Sequence, residues 1–154
     1  MSNLPHIKAA FLTELLTDPA QDIGPEFSRI RNRKPFRFFS SIRGQVIEVP
    51  PRFPTDFASF HIGDLQLRGK TDKPAVIHDW LYAKGDTRKW LADIIFYEAC
   101  RVEGMSKFRA SIRFLAVFLT PAAHRAWRAH RRGNTPGAKF IKSLTFNDKT
   151  ENHP

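Results

Sequence analysis

The chain has 154 residues, 42% of them apolar, including 14 Phe and 3 Trp, which is one domain's worth of sequence with enough apolar mass for a packed core and argues against a disordered chain. Its one cysteine, Cys100, excludes an intrachain disulfide and gives no support for a thiolate metal cluster, and no run reaches the roughly 18 apolar residues of a membrane span. The formal net charge of +10 is uneven: residues 1–100 carry 14 Lys and Arg against 12 Asp and Glu, residues 101–154 carry 11 against 3, so the C-terminal third either meets an anionic neighbour (nucleic acid, a phospholipid surface or an acidic protein face) or is a plain solvated basic face.

The opening MSNLPHIKAAFLTELLTD lacks a basic segment followed by a continuous apolar run. No signal peptide is therefore expected, and the product should be soluble and made in a reducing cytoplasm. Ile7, Ala10, Phe11 and Leu15 recur at helical spacing and predict a short amphipathic helix over residues 4–16, ended by Asp18-Pro19 and Gly24-Pro25. The segments PFRFFSSI and QVIEV, separated by Arg43-Gly44, predict two strands joined by a tight turn, with Pro50-Pro51 closing the second. Residues 50–73 read as a long ordered loop whose aromatics pack on something, a kind of connection that is often functional.

Pro74 suits a first helical turn and begins a helix through AVIHDWLYA that stops near Gly85. Asp86 is a good N-cap for the next helix, TRKWLADIIFYEACRVE, which Gly104 terminates. Ser106 caps a third, KFRASIRFLAVFL, and Thr120-Pro121 opens a fourth, AAHRAWRAHRR, ended by Gly133. The polar stretch from Asn134 reads as a flexible tail. The predicted architecture is α+β: a small N-terminal β-hairpin or sheet packed against a C-terminal unit of three to four helices that contains an antiparallel helix hairpin. It occupies residues 1–133 as a single globular domain, with residues 134–154 as the tail.

The helix hairpin carries the densest chemistry. His78 and Tyr82 lie four apart and share a helical face, with Asp79 about 100° round from His78. Beyond the turn, Asp93 sits in a helix that is apolar nearly all round, beside Trp90, Phe96, Tyr97 and Cys100. An ionised carboxylate buried there costs several kcal/mol unless something pairs with it, and the antiparallel partner supplies His78. A His–Asp contact would fix the imidazole tautomer and raise its basicity, as a general base requires, while Asp79 would face a hard cation through oxygen. The same pair also reads as a buried structural clamp between the two helices. Cys100 reads as a buried inert thiol.

H-D-x-x-Y on one helix with an aspartate on an antiparallel partner resembles the secretory phospholipases and the parvoviral capsid phospholipase. That resemblance implies His78 as the base that activates water, Asp79 as a calcium ligand, and Tyr82 and Asp93 as the groups that orient His78. The family completes its calcium site with carbonyls from a Y-x-G-x-G loop, whereas Gly63 and Gly69 stand isolated here. A second resemblance spans about residues 45–118. Val49-Pro50, Thr55-Asp56-Phe57-Ala58-Ser59, His78 to Tyr82 and Asp93 to Phe96 are similar, in order and joint occurrence, to a family of small phage and prophage proteins of unknown function. That family usually has a proline shortly after the serine, where this chain reads Phe60-His61.

Within that pattern Asp56 either converges on His78 and Asp79 to finish a metal site or, with Thr55, caps a helical turn, while Ser59 closes a hydrogen-bonded loop. His61 and Asp64, three apart, are lesser candidate ligands. His124 and His130 read as part of the charged face of the fourth helix rather than as a metal pair. On that helix Arg125, Arg128, Arg131 and Arg132, with Trp127, form an anion-binding stripe suited to phosphates or a lipid interface, without a signature of sequence-specific nucleic-acid recognition.

The resulting expectation is a phage or prophage protein, made in the bacterial host cytoplasm and a possible virion component. It would be a metal-assisted hydrolase of lipid or cell-envelope esters, with His78 as base, Asp93 and Tyr82 behind it, and a divalent cation, calcium first, at Asp79 and Asp56. The alternatives are a non-catalytic virion or tail-associated structural protein that works with other phage proteins and, more remotely, a non-specific nucleic-acid binder.

Overall fold

The structure, a computed structural model, describes residues 8–57, 61–62, 65–66 and 72–151. Strands dominate the first half: β1 (Ala10–Phe11), β2 (Thr17–Pro19), β3 (Ser28–Ile30), β4 (Phe36–Ser40), β5 (Gln45–Val49), β6 (Pro54–Thr55), β7 (His61–Ile62) and β8 (Leu65–Gln66). Helices follow: α1 (Asp72–Lys84), α2 (Lys89–Val102), α3 (Lys107–Leu119), α4 (Pro121–Arg131) and α5 (Pro136–Glu151). The class is α+β, with the helical unit C-terminal, as the sequence indicates.

The predicted hairpin is β4–β5, antiparallel from Phe36↔Val49 to Ser40↔Gln45. Its alternation is that of a half-buried strand pair: Phe36, Phe38 and Ser40 on β4 and Ile47 and Val49 on β5 are buried, while Arg37 and Glu48 face water and pair at 2.8 Å. With β1 it forms a three-stranded sheet, β1-β4-β5, beside a second of order β2-β3-β6 and the β7–β8 pair. Ile30, Phe36, Phe38 and Val49 from the strands, with Phe53 just before β6, meet Ile77 and Leu81 of α1 in the main core.

The helix expected over residues 4–16 is not formed in its described part. Ala10 and Phe11 instead pair antiparallel with Phe39 and Phe38, and Leu12 N–H donates to Arg37 O. The exposed edge of β4 offers backbone donors and acceptors that this segment satisfies. In doing so Phe11 sets its ring 4.8 Å from Phe38 and 5.8 Å from Phe36. Those long-range contacts outweigh a weak local periodicity.

α1 and α2 are joined by residues 85–88, and Gly85, at φ 70°, makes the left-handed exit from α1 while its N–H donates to Leu81 O. Asp86 does not cap α2. That helix starts at Lys89 behind Arg88, which gives no side-chain cap, while Asp86 is drawn to Lys84 (2.8 Å), Arg43 (3.7 Å) and the Thr87 hydroxyl (2.9 Å). Ser106 and Thr120 cap α3 and α4 as their sequence contexts predict, accepting from Arg109 N and Ala123 N.

Residues 136–151, where the composition suggests a flexible tail, form α5. Phe140 packs edge-on to Phe53 at 5.9 Å, and Ala138 is buried. Gly137 is what allows this approach: a Cβ there would stand 3.1 Å from Ala83 Cβ and 3.2 Å from the Phe53 ring. Gly137→Val should therefore push α5 off the core and cost about 1–3 kcal/mol of stability. Urea unfolding of the variant checks this, and an unchanged midpoint would contradict that packing.

Candidate functional site

Side chains from α1 and α2 converge on one buried carboxylate, and a backbone carbonyl of α3 joins them through Lys89. Asp93, fully buried on α2, has His78 Nε2 at 2.9 Å and the Tyr82 hydroxyl at 2.6 Å on Oδ1, and Lys89 Nζ at 2.7 Å on Oδ2. His78 and Tyr82 reach it together because an i, i+4 pair on α1 stacks on one helical face. Lys89 is itself i−4 to Asp93 on α2, and its ammonium also donates to Val117 O at 2.7 Å, in the last turn of α3, where helix carbonyls lack intrahelical donors. One carboxylate thus ties three helices together. Lys89 was missed by the sequence reading, although its i, i+4 spacing to Asp93 is visible there.

The electrostatics of the cluster decide which proton sits where. Burial alone would raise the Asp93 pKa, but the hydrogen bond and charge of His78, then the bonds from Lys89 and Tyr82, outweigh it and hold the carboxyl below its ordinary 3.8. The Tyr82 phenol moves the other way: burial first, then the Asp93 charge, push its pKa up, so it stays a donor. An ionised carboxylate only accepts hydrogen bonds, so Nε2 of His78 carries the hydrogen, and the lone pair of a neutral ring lies on Nδ1. Among the described residues Nδ1 has no hydrogen-bond partner, and His78 as a whole is 3% exposed.

The walls are aromatic. The Tyr82 ring lies 4.0 Å and the Phe96 ring 5.0 Å from the His78 ring, and Trp127 and His130 of α4 meet Tyr82 edge-on at 4.9 and 6.0 Å. His130 is thus turned inward, contrary to its reading as part of a charged face. Its Nδ1 is 2.8 Å from Thr135 Oγ1. Burial pushes its pKa down to about 4, against the opposing charge of Asp56 and with that of His78 adding to it. Between that value and about 6.5 the unfolded chain binds the extra proton and the folded one does not, so stability should rise with pH across this window. The contribution is complete above about pH 6.5 and lost as the pH falls towards 4, on the order of 3 kcal/mol in all. Comparing the pH dependence of urea unfolding with that of His130→Gln tests this, since the variant should lack that part of the slope.

Next to His78, Asp79 is buried and its Oδ2 accepts from Thr55 Oγ1 at 2.5 Å, while Thr55 Oγ1 accepts in turn from Phe57 N–H at 3.0 Å. Thr55 thereby joins β6 to α1. Arg52 and Phe57, on either side of β6, hold positive φ of 67° and 56°. Such conformations cost on the order of 1 kcal/mol or more each for residues other than glycine, and they persist where surrounding packing enforces them, as the contact of Phe57 with the main core does. Asp56 lies close enough to act electrostatically on His130. Among the described residues no group of three or more His, Cys, Asp or Glu is placed to hold a metal ion. Ser59 and Asp64 lie outside the described residues, and His61 falls in β7.

Away from the cluster, Arg125, Arg128, Arg131 and Arg132 are all exposed, with Arg131 over Trp127 at 5.9 Å, and His124 Nε2 meets Phe118 O at 3.1 Å. Cys100 is buried and its thiol pushed up to about 12, chiefly by burial, which makes it inert. Buried Glu98 of α2, also missed from sequence, accepts from the Ser40 hydroxyl (2.6 Å), from the Ser41 and Ile42 N–H groups (2.9 and 3.2 Å) and from the Ser41 hydroxyl, which fixes the β4–β5 turn to the helix. No helix among the described residues is long and apolar enough to cross a membrane.

A family model described as "Protein of unknown function (DUF1353)" matches residues 31–117, more than half of the chain, and so takes in Thr55 to Ser59, His78 to Tyr82, and Asp93 to Phe96. No curated protein and no solved structure matches the chain.

Proposed function

The chain belongs to the DUF1353 family, and from that premise we propose that it is a hydrolase of phage or prophage origin that cleaves a lipid or cell-envelope ester with His78 as general base. The observation that carries this reading is the occupation of Nε2 by Asp93, which leaves the Nδ1 lone pair as the basic atom of the ring. In the step, Nδ1 takes a proton from water as the water oxygen bonds to the acyl carbon. Asp93, held ionised by Tyr82 and Lys89, stabilises the imidazolium that forms, and the proton then passes to the departing alkoxide. The phage or prophage origin is supported by the joint occurrence of the TDFAS, HDWLY and D-x-x-F stretches, and the same origin would make other phage proteins its partners.

The divalent cation implied by the phospholipase-like pattern would have to bind at Asp79 and Asp56. Asp79 is engaged by Thr55 and buried, and the described residues bring no third protein ligand to it, so these residues do not by themselves make a calcium site. A panel of acyl esters, from short-chain nitrophenyl esters to phospholipids, tests the reading with and without EDTA. Turnover that survives EDTA supports general-base attack by His78 without a cation. Turnover that needs calcium, together with a calcium-dependent rise in melting temperature lost in Asp79→Asn, would restore the cation. No turnover on any ester would sink the hydrolase.

A second reading has its own supporting observation. Asp93 is wholly buried and saturated by donors from two helices, one of which also reaches the third. That arrangement also suits a non-catalytic structural protein of the virion or tail, in which the cluster is a clamp.

A further inference from the structure

α3 packs Ala110, Ala116 and Val117 inward, yet four large apolar side chains on its other side are left in solvent: Phe108 is 75% exposed, Leu119 63%, Leu115 48% and Ile112 43%. Their spacing of four, three and four residues places them, at about 100° per residue, within an arc of roughly 60°. They form one continuous stripe about 16 Å long at 1.5 Å per residue. Exposed Lys107 and Arg109 fall about a quarter turn to either side of Phe108, so the stripe has a cationic margin on both flanks. Contiguous exposed apolar surface of this kind marks a contact face rather than chance.

The charge on α3 and on the helices that follow it selects the occupant of the stripe. Between Glu103 and Asp148 the chain contains nine Lys and Arg and not one Asp or Glu. A second copy would bring the same uncompensated positive charge to the contact. Nucleic acid would answer the charge but offers a phosphate backbone to a face whose centre is Phe, Ile and Leu. The partner that meets an apolar stripe with anions on both margins is a bilayer with anionic head groups: the apolar side chains enter the head-group and acyl boundary while Lys and Arg stay at the phosphates. We infer that α3 lays this protein on anionic phospholipid surfaces through Phe108, Ile112, Leu115 and Leu119. This holds independently of the hydrolase reading, because none of these side chains belongs to the His78–Asp93 cluster.

The test is co-sedimentation of the full chain with vesicles of phosphatidylcholine alone or mixed with phosphatidylglycerol. The protein should pellet with the mixed vesicles, be largely released by high salt, and stay in solution with phosphatidylcholine alone. The triple substitution Phe108→Ser, Leu115→Ser, Leu119→Ser alters only exposed positions. It should keep the wild-type melting temperature and lower the partition coefficient at least tenfold. Failure of the wild type to bind mixed vesicles overturns the inference. So does equal binding by the triple variant, which would leave charge alone as the cause. A dimer in sedimentation velocity that the triple variant abolishes would assign the face to a second copy instead. Ester turnover of the triple variant on a short-chain soluble ester reports separately on the hydrolase.

Discussion

Asp93→Ala should lower the unfolding free energy by about 3–5 kcal/mol, the range for breaking a buried ion pair by removing one partner. The loss is large because the carboxylate has no substitute. With it gone, the Lys89 ammonium, at 12% side-chain exposure, keeps α3 carbonyls and the Phe118 ring, and the hydroxyl of buried Tyr82 loses its acceptor. The links from α1 and α2 to the centre of the hairpin fail together. For a chain of this size the drop corresponds to roughly 10 °C in melting temperature. Its pH dependence gives a second signature. The folded-state pKa of Asp93 lies below its ordinary value, so its contribution is fully present above about pH 4 and disappears as the pH falls through the lower folded value. Urea unfolding of wild type and Asp93→Asn at neutral pH and near pH 3 should thus show a gap that narrows on acidification. A neutral-pH loss under about 1 kcal/mol would mean that the cluster does not hold the three helices.

The parts of the site that could be read from the sequence are those fixed by local geometry. The four-residue step from His78 to Tyr82 and the short link to α2 bring them to Asp93 without any knowledge of the sheet, and burial demands a partner for a carboxylate in so apolar a helix. Thr55 and Asp79 meet across 24 residues. That pairing could be guessed only from the motif that contains both, and then only as a loop cap or a metal site, not as the direct bond it is. Glu98 and the β4–β5 turn are more than fifty residues apart, and a glutamate on a helix gives no sign that it will be turned inward on a nest of N–H groups.

The misread segments share a cause. Residues 10–11 have helical periodicity yet become a strand because β4 leaves an edge to pair. Residues 136–151 look like tail until Gly137 is seen to let α5 reach Phe53. His130 looks solvated among arginines until α4 is laid across Tyr82. In each case the deciding contact is distant in sequence, where periodicity and composition carry no information.

His78→Gln separates the two readings of the cluster most sharply. The glutamine amide can donate to Asp93 much as Nε2 does, and Lys89 and Tyr82 remain on the carboxylate, so the clamp survives with an expected loss of about 1 kcal/mol. What the amide cannot do is accept a proton from water at neutral pH. If His78 is the base, ester turnover should fall by about 10²- to 10⁴-fold, the usual contribution of a general base, while the melting temperature shifts by only a few degrees. His78→Ala should lose the same activity and more stability, since it also removes a ring packed between Tyr82 and Phe96. The structural reading shares the stability deficit that grows from Gln to Ala but expects no turnover in the wild type to lose. A wild type that hydrolyses ester and a His78→Gln variant that does so equally well would place the chemistry elsewhere in the molecule and leave the cluster as a clamp alone.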